Sequence, residues 1–245
     1  MPDELSRAFA FMALGDMFGT NVRPSAFGLA VSSKEVPLRR DSNYLLVDRT
    51  GASAVELARE VERLHLRAVF VRDERTGARL EREFSALGWK LHRGVIMAHH
   101  REPERSSAVG LVTEVEEQTL RPVRRRTTLD YPWGTPVLAD QLLHAKVLIS
   151  QRVETHFLAV LVAGEVAAYA DLYVGDGLAQ IEDVLTLEEH RNRGYASALV
   201  LHAADQARRA GATLVFLAAD AEDWPRQLYE RLGFDAIGGY VKFFT

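Results

Sequence analysis

The sequence predicts a mixed α/β fold built from two similar halves. Apolar runs of strand length alternate with stretches that repeat apolar residues every three or four positions, and glycine or proline separates many of them. The order of these elements in residues 1–105 returns in residues 108–245. We therefore expect two domains with these bounds, each a mixed central sheet flanked by helices.

In the first half, helical periodicity alternates with short apolar runs. The predicted helices cover residues 4–18, 54–66 and 78–87. The predicted strands cover residues 43–47, 68–71 and 95–98. Gly88 ends the third helix. The polar, proline-bearing segment 99–107 then marks the predicted domain boundary.

The second half contains more strands than the first. The predicted strands cover residues 111–115, 157–162, 166–173, 179–187, 214–218 and 241–244. The predicted helices cover residues 138–149, 196–210 and 225–232. The turn Ala163-Gly164-Glu165 joins two of the strands as a hairpin.

The composition excludes several classes of protein. With 47% hydrophobic and 26% charged residues, the chain is typical of globular rather than disordered proteins. No run approaches the roughly 18 to 20 apolar residues of a membrane helix, and acids in the opening MPDELSR argue against an export signal. The absence of cysteine excludes disulfides and thiolate chemistry and favours a cytoplasmic location. The eight histidines show no metal-ligand spacing, so we expect no metal.

The net charge of −4 is unevenly distributed. Residues 1–108 carry 17 Lys or Arg against 15 Asp or Glu, whereas residues 109–245 carry 13 against 19. The acidic second half argues against nucleic-acid binding and mildly favours a cationic small molecule, although a merely soluble surface fits the same numbers. The basic run of Arg121 and Arg124 to Arg126 is interpreted as a solvated helix start.

The segment from Ile181 to Ala196 has the features of an anion site. A predicted strand leads through a turn rich in Arg and Gly into a helix. The first backbone amides of a helix have no intrahelical partner, and the helix dipole adds positive charge there. Gly194 and Ala196 leave room for a diphosphate close to those amides. A plain left-handed turn before a helix is the alternative.

Two short motifs in the second half resemble the GNAT superfamily of acyl-CoA-dependent N-acyltransferases. The loop Arg191-Asn-Arg-Gly194-Tyr-Ala196 is similar to the family's cofactor loop. The run Leu228-Tyr229-Glu-Arg-Leu-Gly233-Phe234 is similar to its second motif. The resemblance covers residues 110–245.

The first half looks like a degenerate copy of the second. Asp48 stands where the loop arginine would lie, and Phe84 stands where the tyrosine would lie. An acid repels a diphosphate and phenylalanine cannot donate a proton, so we expect this copy to be catalytically silent. Chance similarity of helical amphipathicity is the alternative to a duplication.

The resemblance implies acetyl-CoA as co-substrate. In the family, the strand backbone corresponding to Val184, Leu185 and Thr186 parts from the next strand and pairs with the pantetheine arm. The loop that cradles the pyrophosphate corresponds to Arg191, Asn192, Arg193, Gly194, Tyr195, Ala196 and Ser197.

The resemblance also implies two catalytic residues. Tyr229 would face the thioester sulfur, and a phenol with a pKa of about 10 can protonate a thiolate with a pKa near 8.5. Titration of that phenol should give the activity an alkaline limb. Glu182 would take a proton from an ammonium through water, or bind the cation. A half-buried core tyrosine and a strand-end carboxylate bonded to a backbone amide are the alternatives. Glu182 and Asp183 are adjacent on a strand, so only one should face the substrate.

The loop 130–136, with two aromatic residues and two prolines, resembles in position the family's roof over the substrate pocket, and it also fits a hydrophobic staple. The predicted function is therefore acetyl transfer to a primary amine, by direct attack in a ternary complex. The predicted partner is a small cationic amine acceptor, with neither nucleic acid nor membrane, and a homodimer is compatible with the sequence. A non-catalytic acyl-CoA-binding or regulatory protein and an enzyme that acylates protein amines are the alternatives.

Overall fold

The computed structural model describes residues 3–16, 20–49, 51–104 and 111–245. The strands in this part are β1 (Thr20–Ser25), β2 (Gly28–Ser33), β3 (Tyr44–Val47), β4 (Ala68–Val71), β5 (Lys90–His99), β6 (Val112–Val115), β7 (Glu154–Val162), β8 (Glu165–Gly175), β9 (Leu178–Thr186), β10 (Leu214–Asp220) and β11 (Phe234–Phe244). The helices are α1 (Glu4–Asp16), α2 (Ala54–Arg63), α3 (Glu74–Ala86), α4 (Glu117–Asp130), α5 (Pro136–Ser150), α6 (Tyr195–Arg209) and α7 (Pro225–Arg231). The predicted mixed α/β class is confirmed.

All eleven strands belong to one sheet, in the order β1-β2-β3-β4-β11-β5-β10-β9-β8-β7-β6. Most neighbours are antiparallel, and the pairs β3·β4 and β9·β10 are parallel. We expected a separate sheet in each half. That expectation is wrong, because strands from the two halves alternate at the centre of one sheet. The division into domains at residues 1–105 and 108–245 stays a prediction.

The halves exchange one strand each at the centre. β5, from the first half, lies between β11 and β10, and β11, the last strand of the chain, lies between β4 and β5. Reading outward from the β5·β11 pair gives β10 and β9 on one side and β4 and β3 on the other. The two halves of the sheet thus have nearly the same strand order when each is followed outward from the β5·β11 pair. This geometry fits the predicted duplication, which stays a prediction.

The core continues across this exchanged centre. α6 packs on the second half of the sheet, where Val95 and Met97 of β5 join a cluster with Leu199 and Phe234. α1 lies on a part of the sheet shared by both halves, and Phe11 contacts Phe216 edge-on, with ring centroids 5.9 Å apart. The two halves therefore share buried apolar surface as well as hydrogen bonds.

Several elements differ from the sequence-based expectation. The β1·β2 hairpin was not predicted, because Pro24 and several exposed polar residues hide its pattern at the edge of the sheet. The helix α4 was foreseen only as a helix start, because it is polar and contains Pro122. β11 is longer than the predicted strand 241–244. The end of the predicted first helix, residues 17 and 18, lies outside the described residues.

In the described part of the chain, none of the helices is long and apolar enough to cross a membrane.

Candidate active site

Two neighbouring parallel strands part at the middle of the second half. β9 and β10 pair only from Leu178 to Ile181 and from Leu214 to Leu217. Beyond these residues β9 continues to Thr186 and β10 to Asp220 without pairing to each other. The residues Val184, Leu185 and Thr186 lie on this parted end of β9, as the resemblance implied. On its other side β9 stays paired with β8.

The parted strand leads into an uncapped helix. Gly194 precedes α6 with a φ of +79° and makes no side-chain capping bond, so no side chain of its own covers the first amides. Asn192 also has a positive φ, +62°. The side chains of Arg191, Asn192 and Arg193 are exposed, and those of Tyr195, Ala196 and Ser197 are partly buried. The left-handed turn and the open helix start occur together, and both fit an anion cradle.

The corresponding helix start in the first half is filled by acids. The backbone amide of Ala54 donates to Glu83 Oε2 over 2.8 Å. Ser53 and Glu56 form a capping box at the same turn of α2. The strands β3 and β4 stay paired along their whole length, with Val47 opposite Val71. This end of the first half therefore has neither a parted strand pair nor an open cluster of amides.

A cavity of about 250 Å³ adjoins the parted strand. Leu185, Thr186 and Arg191 line it, together with Tyr131 at the end of α4. Thr186 Oγ1 is buried there and has no hydrogen-bond partner among the described residues. This cavity thus joins the two segments that the sequence assigned to the cofactor.

Two further cavities lie between the halves on the α1 and α5 side of the sheet. The tyrosine cavity, of about 90 Å³, is lined by Tyr173 and Tyr240 among others. The tryptophan cavity, of about 230 Å³, is lined by Trp133 among others. Both cavities share the side chains of Arg39, Asp41, Lys146, Ile149 and Glu182. Because Arg39 and Asp41 come from the first half, both halves build this region. Local sequence pattern contains no signal for this, because Arg39 and Asp41 lie more than 100 positions from Lys146, Ile149 and Glu182.

The loop 130–136 reaches the tryptophan cavity. Tyr131 and Trp133 stack with ring centroids 4.7 Å apart and an interplanar angle of 10°, and both line the cavity. About half of each side chain is exposed, so the rings stand at the cavity's rim. Thr135 caps α5 by accepting a hydrogen bond from the amide of Leu138. The loop therefore contributes aromatic surface to the cavity and a cap to the helix.

A bulge in β9 overturns one expectation. Asp183 has a φ of +56°, and the register between β8 and β9 shifts between Tyr169 and Asp171. A left-handed residue interrupts the alternation of side chains along a strand. As a result Glu182 and Asp183 both line the tryptophan cavity, and the prediction that only one of them faces it is wrong.

Glu182 is partly buried between the two cavities. Its Oε2 accepts a hydrogen bond from Gln180 Nε2 over 2.7 Å. Burial raises the pKa of Glu182, Lys146 opposes that rise, and the nearby Asp183 adds to it. A carboxyl with a raised pKa close to a substrate cavity is suited to exchange a proton with a substrate.

A buried ionic cluster underlies these carboxylates. Asp171, which is fully buried, pairs with Arg124 and accepts a hydrogen bond from Lys146 Nζ over 2.8 Å. Asp183 Oδ2 lies 3.3 Å from Lys146 Nζ and 3.5 Å from Arg124 Nε. Although burial would lower the pKa values of Lys146 and Arg124, the two aspartates hold both above their usual range. Burial raises the pKa of Asp171, but the two cations lower it overall.

The interpretation of Arg124 as part of a solvated helix start is wrong. Its side chain is only 5% exposed and lies over the rings of Phe157 and Tyr169. The error arose because three adjacent arginines look alike in sequence, whereas on a helix each points in a different direction. The usable signal in the sequence is Asp171, a single acid inside the apolar run from Val166 to Tyr173.

Removing the acid at the centre of this cluster should destabilise the protein strongly. Asp171→Ala leaves two buried cations short of one carboxylate, and breaking a buried pair in this way costs about 3–5 kcal/mol. Urea unfolding of the variant measures the loss. Asp140→Ala is the matched control, because Asp140 pairs with Arg125 on the surface and should contribute at most about 1 kcal/mol. Equal stability of the two variants would contradict this account.

Tyr229 lies on α7 and is 7% exposed. It packs in the cluster that contains Ile181, Leu217 and Phe234, at the base of the parted strands. Burial and, to a lesser extent, Glu182 raise the pKa of Tyr229 to about 12. Tyr229 is not among the side chains that line the tyrosine and tryptophan cavities. The structure thus places it in the core beside the site, and its predicted role in catalysis stays a prediction.

Among the described residues, no group of three or more His, Asp or Glu side chains could hold a metal ion.

Comparison with known proteins identifies the family of the second half. The sequence model of the acetyltransferase (GNAT) family matches residues 120–234. No curated protein sequence matches the chain significantly.

Several solved structures share the fold. A GCN5-related N-acetyltransferase from Kribbella flavida aligns with a TM-score of 0.64 at 18% identity, over 100% of this chain and 96% of the other. A functionally unknown conserved protein from Staphylococcus epidermidis aligns with a TM-score of 0.67 at 15% identity, over 92% of this chain and 94% of the other. A GCN5-related N-acetyltransferase from Sphaerobacter thermophilus aligns with a TM-score of 0.55 at 15% identity, over 77% of this chain and 66% of the other. At these identities the likeness concerns the fold alone.

Proposed function

Because this chain belongs to the GNAT superfamily and carries its acetyltransferase domain over residues 120–234, we propose that it transfers an acetyl group from acetyl-CoA to the primary amine of a small acceptor. Family membership supports acyl transfer from acyl-CoA in general. The choice of acetyl-CoA and of an amine that reaches the site as a cation is our proposal. The observation that carries it is the parting of β9 from β10 beside the uncapped first turn of α6.

The parted strand and the helix start are proposed to bind different parts of acetyl-CoA. In our proposal the backbone at residues 184–186 pairs with the amide groups of the pantetheine arm, because β10 no longer occupies that edge. The amides from Tyr195 to Ser197 bind the diphosphate, helped by the positive end of the helix dipole. The thioester then lies towards the tyrosine and tryptophan cavities.

Acyl transfer to an amine requires three proton and charge adjustments. The ammonium loses a proton to become a nucleophile, the carbonyl is polarised, and the leaving thiolate gains a proton. We assign the first task to Glu182, acting directly or through a water, and the last to Tyr229. The amine nitrogen forms a bond to the carbonyl carbon while the carbon–sulfur bond breaks, in a single ternary complex. The nitrogen then loses its second proton, which restores the Tyr229 phenol after that phenol has protonated the thiolate.

The first half is proposed to be silent in catalysis and to shape the acceptor site. Glu83, Ser53 and Glu56 occupy the helix start where a diphosphate would bind, and Arg39 and Asp41 reach the two cavities. A non-catalytic acyl-CoA-binding protein remains the second candidate function. A protein that only binds acyl-CoA needs neither the Glu182 carboxyl between the cavities nor the buried Tyr229 phenol beside the parted strands. Both groups are present, which favours the enzyme.

Substitution at Gly194 tests the cofactor site. A Cβ there would meet no protein atom within 4 Å, so it would extend into the space of the bound diphosphate. We expect Gly194→Val to weaken acetyl-CoA binding by about 2 kcal/mol, roughly 30-fold, in calorimetry. Gly211→Val at the other end of α6 is the matched control, because Gly211 has a similar φ of +87° and equally open surroundings. An unchanged affinity in Gly194→Val, or an equal loss in both variants, would remove this loop from the site.

Substitution at Glu182 tests the proposed base. We expect Glu182→Gln to lower kcat/KM at neutral pH by about 10²–10⁴, the usual contribution of a general base. Because the pKa of Glu182 is raised, the carboxylate form is gained as pH rises through that raised value, and the parent activity should rise with it. The variant should lack this acidic limb. Glu165→Gln, at the exposed start of β8, controls for the loss of one charge. A parental pH profile in Glu182→Gln would refute the assignment.

A further inference from the structure

The charges around the acceptor site indicate the class of acceptor. This inference rests on the proposed function. Four cationic side chains line the tyrosine and tryptophan cavities, namely Arg39, Arg124, Lys146 and Lys242. Three carboxylates line them as well, namely Asp41, Glu182 and Asp183. Arg124 and Lys146 pair with Asp183 and the buried Asp171, and Lys242 pairs with Asp41, so the charges of this region nearly balance, although the second half as a whole is acidic.

This mixture disfavours an acceptor that carries positive charge alone. Arg39, Lys146 and Asp41 line both cavities together with Glu182. A diamine held against Glu182 would find the neighbouring carboxylates already paired, Asp41 with Lys242 and Asp183 with Lys146, so its second ammonium would gain little attraction there. An acceptor with an anionic group next to its amine meets attraction at both ends.

Two donors of Arg124, a residue that lines the tryptophan cavity, lack a hydrogen-bond partner among the described residues. Nη1 of Arg124 is buried and makes no hydrogen bond to any described residue. Leaving a buried charged donor unsatisfied is unfavourable, and a carboxylate is the acceptor that a guanidinium binds best. Arg39 lines the same cavity, so a carboxylate that enters it meets two guanidinium groups.

The remaining wall is apolar. Leu142, Leu143 and Ile149 of α5 line the tryptophan cavity beside Lys146 of the same helix, and Trp133 forms part of its rim. Such a wall fits an aliphatic or aromatic substituent.

We propose that the acceptor is an amino acid with an apolar side chain. Its amine lies at Glu182 and its carboxylate between Arg39 and Arg124, while its side chain packs on the leucines. In this arrangement the first half selects the acceptor through Arg39, and the second half performs the transfer.

Matched pairs of acceptors test this proposal. We would measure release of free thiol from saturating acetyl-CoA with leucine against 3-methylbutylamine, and with phenylalanine against phenethylamine. Each pair differs only in the carboxylate. We expect kcat/KM to be at least tenfold higher for the amino acid. A preference for the plain amines would overturn the proposal.

The variant Arg39→Gln assigns the preference to the first half. It should reduce the preference for the amino acid about tenfold, by raising the KM of the amino acid more than the KM of the plain amine. Arg40→Gln is the matched control, because Arg40 is exposed, lies over the ring of Phe244 and does not line either cavity. If Arg39→Gln kept the full preference, Arg39 would not bind the carboxylate and the proposal would fail.

Calorimetry with acetyl-CoA, combined with these assays, distinguishes failure of the amino-acid proposal from failure of the proposed acetyl transfer to small amines. If plain amines are acetylated as well as amino acids, amine acetylation stands and the amino-acid proposal falls. If acetyl-CoA binds and neither member of any pair is acetylated, the proposed transfer to small amines fails, and the amino-acid acceptor fails with it.

Discussion

Tyr229→Phe should lower kcat by about 10²–10⁴ while the affinity for acetyl-CoA stays at the parental value. The substitution keeps the ring that packs against Phe234 in the core, so the fold is expected to persist. Only the hydroxyl is lost, and with it the proton for the leaving thiolate. Rates at saturating substrate, together with calorimetry for the cofactor, separate these effects. The matched control is Tyr44→Phe, which removes a buried hydroxyl from β3 in the first half.

The pH dependence of this variant gives a second readout. With the pKa of Tyr229 raised to about 12, the phenol stays protonated over the whole range in which most enzymes are assayed. The alkaline limb expected for an ordinary tyrosine, near pH 10, should therefore be displaced to about pH 12 in the parent. In Tyr229→Phe, activity should partly recover as pH rises, because the thiolate leaves unassisted. A variant with parental kcat would reduce Tyr229 to a core residue and favour the non-catalytic candidate function.

Deleting residues 1–105 should abolish folding of the remainder. The deletion removes β5 from between β10 and β11, which exposes the backbone groups of both strands. It also removes Val95, Ile96 and Met97, which are at most 7% exposed. Burial of each such side chain contributes about 1.5–3 kcal/mol, a large part of the 5–15 kcal/mol that stabilises a typical domain. Near-ultraviolet circular dichroism and acetyl-CoA binding should both be lost.

This outcome differs from the one that the sequence suggests. From the motifs alone, the second half is expected to bind acetyl-CoA by itself, with the first half affecting mainly solubility and acceptor binding. Because the central strands alternate, mixing separately produced fragments 1–105 and 106–245 should instead restore binding. A fragment 106–245 that folds alone and binds acetyl-CoA with parental affinity would show that the exchanged strand is dispensable.

Local pattern was enough to predict the elements and the cofactor segments. Strand and helix periodicity placed β4 and α6 within a residue or two, and the spacing from Arg191 to Ala196 indicated the helix start that the structure leaves uncapped. These features depend on residues close together in the chain. Their geometry follows from backbone preferences that a short window contains.

The parts that sequence did not predict depend on distant contacts. Nothing near Arg124 shows that Asp171, 47 residues away, removes it from solvent. The bulge at Asp183 depends on how β9 pairs with β8, and the alternation of residues along β9 does not predict it. The exchange of β5 and β11 is also not predictable from local pattern. Each is an apolar strand whose pattern would suit pairing at either edge, so the pattern does not decide which neighbour it takes.

The position of β11 has a consequence for the order in which the protein can be completed during synthesis. This strand is the last of the chain, yet it lies between β4 and β5, both of which are translated more than 130 residues earlier. The early half therefore keeps open strand edges until β11 has been synthesised and has left the ribosome. Open edges invite pairing with other chains. A chain that is cut short, or a ribosome that stalls before residue 234, should leave an aggregation-prone product rather than a folded first half.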